Sequence, residues 1–264
     1  CLGNRFEVST LDTITGQSQM AILSDLNPAL QEGLIFRSNG QFSFSHDRIQ
    51  EAGYSLIPKA DRPKTHLDIG RLLLEDATAE ELDEKLFAII GHLNAGRALI
   101  FVEAERINLA ELNLRAGQKA KATSAFTDAK KYIELGLEFL GPESWQEKYE
   151  LTLSLNNENA ELASLTGKYD QIPEIADLVL SNAINIQDQL RVYMTLIEAK
   201  TMQYKIEEAL QIGLDALNNL GVEIPIQPGP DDYQRLNKKL AALLTNLSLE
   251  SVVDLPQMSD KTAV

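Results

Sequence analysis

Residues 42–57 read Phe42-Ser-Phe-Ser-His46-Asp47-Arg-Ile-Gln-Glu-Ala-Gly-Tyr-Ser-Leu-Ile57, and two periodicities meet inside them. Phe42 and Phe44 alternate with Ser43 and Ser45, the period-2 pattern of a strand with one buried face. From His46 the period becomes helical. Ile49, Ala52, Gly53 and Leu56 fall on one face, opposite Arg48, Gln50 and Glu51. The change occurs at Ser45-His46-Asp47, where Ser45 or Asp47 would cap the new helix. A strand running straight into a helix sets a histidine and an aspartate at the helix N-terminus. His46 and Asp47 are therefore the first candidates for function.

The chain before this join reads as a small mixed unit spanning residues 1–60. Ser9-Thr10 precede Leu11 and Ile14, a short helix with a cap candidate. Ala21, Leu23, Leu26, Ala29 and Leu30 line a second helix over about 19–32, with Gly33 as its C-cap. Leu34-Ile35-Phe36 reads as a strand, Asn39-Gly40 as a hairpin dipeptide, and Gln41 to Ser45 as the return strand. Two helices, a hairpin and a closing helix make a winged-helix-like arrangement.

After the join the reading is helix upon helix. Helices are expected over about 61–75, 79–95, 102–116, 119–140, 143–166, 170–184, 188–203, 205–220 and 231–246. Thr78 followed by Ala79-Glu80-Glu81 is a capping-box pattern. Gly117 and Gly167 read as helix ends, Gly141-Pro142 as a break, and residues 221–230 as a loop. Acidic residues between Glu75 and Glu84 read as a solvated surface.

Internal similarity favours a solenoid of helical hairpins over a bundle. Around Gly117, Gly167 and Tyr204 one helix ends and another opens with small residues: Ala120, Ala125 and Ala129; then Ala176; then Ala209 and Gly213. Small residues where two helices cross, with an aromatic filling the gap, follow the logic of the tetratricopeptide repeat. The spacings, 50 residues (117 to 167) and 37 (167 to 204), make it a degenerate one. The expected fold is mainly α: the winged-helix-like unit, a tetratricopeptide-like α-solenoid over 61–247, and a linker or start of a further repeat over 248–264.

Composition narrows the function. With 24 basic against 39 acidic residues the formal charge is −15, a field that repels a phosphate backbone. Lys119, Lys121, Lys130 and Lys131 read as a solvated face without aromatics for base stacking. No nucleic-acid partner is expected. No apolar run approaches the roughly 20 residues that span a bilayer, and no signal peptide is visible, so no membrane partner is expected either. The single cysteine, Cys1, fits a reducing compartment, and a cytoplasmic protein is expected. The absence of an initiator methionine suggests a segment of a longer polypeptide.

Catalytic patterns are lacking. Gly117-Gln-Lys and Gly167-Lys-Tyr fail as phosphate loops, and there is no His-Glu-x-x-His, Cys-x-x-Cys or Gly-x-Ser-x-Gly. Phe44-Ser45-His46-Asp47 is superficially like a phosphoacceptor-histidine box, but Arg48 is followed by Ile49-Gln50 without the proline of that box. His66 and His92, among apolar neighbours, read as packing or surface residues. We expect no enzyme activity, metal or cofactor in this segment.

Residues 42–57 resemble the segment that closes the winged-helix domain of signal-transduction ATPases with numerous domains (the STAND class). An aromatic, a short spacer, His-Asp and a helix with Ala-x-Tyr appear here as Phe44, His46-Asp47 and Ala52-Gly53-Tyr54. Further stretches, among them His66-Leu67-Asp68-Ile69-Gly70-Arg71, Leu93-Asn94-Ala95-Gly96 and Glu105-Arg106-Ile107-Asn108-Leu109, are similar to large microbial kinases. Those join a serine/threonine kinase, a predicted ATPase and a helical-repeat region to GAF and histidine-kinase domains. The resemblance implies a regulatory middle segment that relays a signal or nucleotide state to attached ATPase and kinase domains, through protein contacts or a small-molecule signal. It implies ATP/ADP and magnesium in the parent protein, with the histidine at position 46 reaching the β-phosphate of ADP and Asp47 beside it. Gly53 departs from the commoner alanine. The alternative is a winged-helix DNA-binding regulator with a helical-repeat sensor arm. The charge and the lack of arginine on residues 19–32 oppose it.

Overall fold

A computed structural model describes residues 3–225 and 228–245. The expected terminal linker, residues 248–264, lies outside them. Packing divides the chain into two compact units, Cys1–Pro142 and Glu143–Val264, each described by itself. The described residues are mainly helical with one small sheet. The packing division falls within the helical series, whereas the boundary drawn at residue 60 separates strand-bearing from all-helical sequence.

The first unit begins with β1 (Arg5–Glu7), α1 (Val8–Thr15), α2 (Gln19–Gln31), β2 (Ile35–Ser38) and β3 (Gln41–Phe44). The strands form an antiparallel sheet in the order β1-β3-β2. Asn39 and Gly40 take φ of 51° and 83°, the two left-handed positions of a type I′ hairpin. Phe42 is fully buried, and Phe6 meets the rings of Phe42 and Phe44 at 5.8 and 5.7 Å. β1 went unread because three residues are too few to display a period. Val8 opens α1, ahead of the expected Ser9-Thr10 cap.

α3 (Asp47–Ser55) follows at once. Its N-cap is His46, and no side chain caps it. Ser45, a proposed cap, instead donates to the Leu34 carbonyl at 3.0 Å. The expected buried stripe is also displaced: Ala52 and Gly53 are exposed and Leu56 is 83% exposed. The half-buried residues are Ile49, Gln50, Tyr54 and Ile57. At 100° per residue that face lies roughly a quarter turn around the helix. Tyr54, the largest side chain of α3, sets it.

α4 (Arg62–Asp76) and α5 (Ala79–Ala95) form a hairpin. At the turn Thr78 Oγ1 accepts from the Glu81 amide (3.3 Å) and Glu81 Oε2 accepts from the Thr78 amide (3.0 Å), the expected capping box. The helices touch through glycine. A Cβ on Gly70 would lie 2.8 Å from Leu93, and one on Gly96 2.6 Å from the Leu67 Cβ.

α6 (Glu103–Ala122) and α7 (Phe126–Phe139) correct the helix ends expected near Gly117. Gly117 lies inside α6, where a Cβ would meet Ile133 Cδ1 at 2.6 Å. It is a crossing point and not a terminus. The lysines here also differ from a solvated face. Lys130 is 3% exposed and pairs with Glu134 at 3.1 Å, and Lys119 reaches Asp83 at 2.8 Å.

The second unit holds α8 (Ser144–Glu147), α9 (Tyr149–Leu165), α10 (Ile172–Asn182), α11 (Ile186–Met202), α12 (Ile206–Asn219) and α13 (Pro230–Thr245). The helix expected over 143–166 is split at Lys148, whose φ/ψ of −135°/47° is not helical. α9 packs with α10, α11 with α12, and α11 also lies against both α9 and α10.

Three hairpin turns share one backbone path. Ser124, Gly167 and Tyr204 take φ of 61°, 73° and 60°. The next residues, Ala125, Lys168 and Lys205, have φ/ψ of −81°/59°, −88°/54° and −93°/61°. Their amides donate to carbonyls five residues back, at Ala120 (3.0 Å), Ala163 (2.8 Å) and Lys200 (2.9 Å). The recurring turns are thus 43 (124 to 167) and 37 (167 to 204) residues apart. Taking Gly117 as a turn inflated the first spacing to 50.

Candidate functional site

His46 and Asp47 sit where the join was expected to place them, at the start of α3, and both are exposed. The His46 carbonyl accepts the amides of Ile49 (2.9 Å) and Gln50 (3.3 Å). Its backbone is extended, φ −149° and ψ 146°. Among the described residues neither side chain makes a hydrogen bond or ion pair. No third polar group converges on them, and no cluster of three metal-ligating side chains occurs among the described residues. The free amides of a first helical turn, with a histidine at the N-cap, are suited to an anion. They do not form a catalytic set.

Two turns further along α3, polar groups do converge. The Tyr54 hydroxyl lies 3.1 Å from His66 Nε2 on α4, and His66 Nδ1 lies 3.0 Å from His92 Nδ1 on α5. The imidazole centroids are 5.0 Å apart. Arg62 lays its guanidinium 4.4 Å from the Tyr54 ring centroid, and its Nε donates to the Ile57 carbonyl at 3.1 Å. The glycine contacts at Gly70 and Gly96 bring α4 close to α5 and so fix the two imidazoles against each other.

An Nδ1–Nδ1 contact requires one ring to donate and the other to accept, so two imidazolium rings cannot occupy it. Burial, then the neighbouring His66, pushes His92 down to about 4; burial also lowers His66. Both rings are neutral at pH 7. Tyr54, His66 and His92 therefore form a hydrogen-bonded line across three helices, from the segment that follows the sheet into the first hairpin. The reading of the two histidines as independent packing or surface residues missed this line. They are 26 residues apart and meet only through the hairpin.

Other polar links run between helices of the first unit. Asn94 and Asn113, both buried, exchange amide hydrogen bonds at 2.9 and 3.0 Å. Arg71 grips Glu105 with two bonds of 2.7 and 2.8 Å, and Asp83 accepts from Arg115 and Lys119. An open groove of about 340 Å3 lies between α5 and α7, lined by Gly91, Ala95, Arg97, Lys131 and Tyr132. Its walls are mostly exposed side chains and hold no buried, convergent acid–base pair. No helix among the described residues is long and apolar enough to cross a membrane.

No protein-family model matches the chain, and no solved structure matches it. A curated relative is Hybrid signal transduction histidine kinase G of Dictyostelium discoideum. It is 26% identical over 245 residues, an alignment that takes in 82% of this chain and 7% of the relative. The chain thus spans a small fraction of the curated relative that it matches. It is similar to one segment of a signalling protein, and that similarity extends over most of its length.

Proposed function

We propose that the chain is a non-catalytic regulatory and interaction segment of a multidomain signalling protein, relaying a signal or nucleotide state to attached kinase domains. The observation that carries this reading is the similarity, over 82% of the chain, to a 7% segment of a hybrid histidine kinase. The fold supports it at two points. A sheet ordered β1-β3-β2, with two helices between its first two strands, suits a winged helix. The three equivalent turns suit tetratricopeptide-like hairpins. In this reading the unit around the sheet is a lid on an ATPase domain of the longer protein. His46, at an exposed helix N-terminus with Asp47 beside it, reaches the ADP β-phosphate there, with ATP/ADP and magnesium held by the longer protein. The Tyr54–His66–His92 line couples the end of α3 to the hairpins. The DNA-binding alternative has less behind it, since α2 carries no Lys or Arg.

The test uses the full-length protein. His46→Ala is expected to lose tightly retained ADP and to change kinase output, while the chain remains folded. Retention of ADP equal to that of the unaltered protein would remove the nucleotide-sensing role.

A further inference from the structure

Tyr54, His66 and His92 leave little freedom in where their protons sit. A neutral imidazole carries one N–H, on Nδ1 or on Nε2. The Nδ1–Nδ1 contact of 3.0 Å needs one proton between the rings, and the 3.1 Å contact of the Tyr54 hydroxyl with His66 Nε2 needs another. Two arrangements satisfy both. In one, Tyr54 donates to His66 Nε2 and His66 donates from Nδ1 to His92 Nδ1. In the other, His92 donates from Nδ1 to His66 Nδ1 and His66 donates from Nε2 to the Tyr54 oxygen.

The histidine pair is held without Tyr54. Gly70 and Gly96 each stand one turn after a histidine of the pair, and Leu93 and Leu67 fill the space that a Cβ would need there. Tyr54 adds one hydroxyl contact and one edge-on ring contact to His66, and three features at that hydroxyl select a direction. A phenol O–H gives up its proton more readily than a neutral imidazole N–H, and a bare imidazole nitrogen is more basic than a phenol oxygen. The Arg62 guanidinium, 4.4 Å from the Tyr54 ring centroid, draws on the ring's electrons and makes the O–H a better donor. Among the described residues the Tyr54 hydroxyl has no other acceptor, so in the second arrangement its proton has no protein partner.

We propose that the line is a tautomer switch set by α3. With the last turn of α3 in place, Tyr54 donates to His66 Nε2, His66 donates from Nδ1 to His92 Nδ1, and His92 carries its own proton on Nε2. Without the Tyr54 donor the line can reverse. One proton crosses from His66 Nδ1 to His92 Nδ1, one arrives at His66 Nε2 from water, and one leaves His92 Nε2 to water. Both rings stay neutral, and His92 Nε2 changes from donor to acceptor. Burial, which lowers both histidines, keeps them in the neutral form at pH 7.5. The switch rests on the coupling role proposed above for this line and supplies its physical signal. A change at α3 is read on α5 as a changed hydrogen-bonding group.

The experiment is long-range proton–nitrogen correlation NMR of the histidine rings at pH 7.5, which separates protonated from bare ring nitrogens. His66→Gln and His92→Gln spectra supply the assignments. In the unaltered chain His66 is expected to show a protonated Nδ1 and a bare Nε2, and His92 a protonated Nε2. A His66 protonated chiefly on Nε2 would overturn the proposal without recourse to any further variant. Tyr54→Phe is expected to lower the ratio of the two His66 forms about fivefold or more, the weight of one hydrogen bond. An unchanged ratio would overturn the proposal as well. Neither spectrum involves nucleotide, so failure here leaves the ADP test of His46 standing, and failure of that test leaves the tautomers to be read by themselves.

Discussion

Replacing Gly117 by alanine sets two opposing effects against each other. In an exposed helix interior, alanine is favoured over glycine by about 1 kcal/mol, because glycine loses more backbone freedom on folding. Gly91 in α5 and Gly53 in α3 meet that condition, since a Cβ on either has no atom within 4 Å. At Gly117 the same carbon would lie 2.6 Å from Ile133 Cδ1, 2.8 Å from Ile133 Cγ1 and 3.3 Å from the Ala129 carbonyl oxygen. Ile133 is fully buried and cannot swing into solvent. α7 must shift away, or Ile133 must leave its rotamer, at an overpacking cost of roughly 1–3 kcal/mol. After subtracting the propensity gain, Gly117→Ala destabilises by up to about 2 kcal/mol. Gly91→Ala stabilises by about 0.5–1 kcal/mol.

Urea unfolding of the two variants and the parent chain, followed by far-UV circular dichroism, reads both signs in one experiment. A double-mutant cycle with Ile133→Ala identifies the cause. That substitution alone opens a cavity costing about 2–5 kcal/mol. Combined with Gly117→Ala it removes the carbons in the way, so the pair is expected to cost less than the sum of its parts. If Gly117→Ala stabilises as much as Gly91→Ala, or the cycle is additive, the close crossing of α6 and α7 is wrong.

Acid should weaken the fold through the paired histidines. Unfolded imidazoles titrate near 6.5 and His92 in the folded chain near 4, so between these values the unfolded state binds more protons. The contribution is fully present above about pH 6.5 and is lost as pH falls, by about 2 kcal/mol at pH 5. A urea midpoint that stays level from pH 7.5 to 5, with His92→Gln behaving like the parent, would contradict the buried pair. Asn113→Ala leaves the Asn94 side chain buried without its reciprocal partner and should cost about 1–3 kcal/mol. An unchanged thermal midpoint would show that the amide pair is open to water.

What the sequence reveals depends on whether the deciding contact is local. The Thr78–Glu81 capping box and the Asn39-Gly40 hairpin engage residues three or fewer positions apart, and the residue types state the geometry by themselves. Ser45 and Asp47 show the limit of that rule. Both are good cap residues, yet Ser45 donates instead to the carbonyl of Leu34, just ahead of β2. Gly117 was misread for a related reason. Glycine both ends helices and permits their close approach, and Ile133, which decides between those uses, lies on the next helix. The histidine pair was still further out of reach. Its pairing depends on the α4–α5 crossing fixed at Gly70 and Gly96, so each histidine alone resembles an ordinary semi-buried side chain.

The same distinction separates the two ends of α3. Its N-terminus, where His46 and Asp47 are exposed, is built from local rules, and neither side chain makes a hydrogen bond or ion pair among the described residues. Its C-terminal turn is held from outside, by Arg62 over Tyr54 and by the hydrogen bond between Tyr54 and His66. A helix that follows directly on β3, with His46 and Asp47 exposed at its start and its last turn tied to α4, can pass a displacement of the join to the α4–α5 hairpin, where the Nδ1–Nδ1 contact resists it. Tyr54→Phe removes the hydroxyl link while keeping the ring under Arg62. If α3 acts as such a connecting element, that change should uncouple nucleotide binding from kinase output in the full-length protein without releasing the nucleotide.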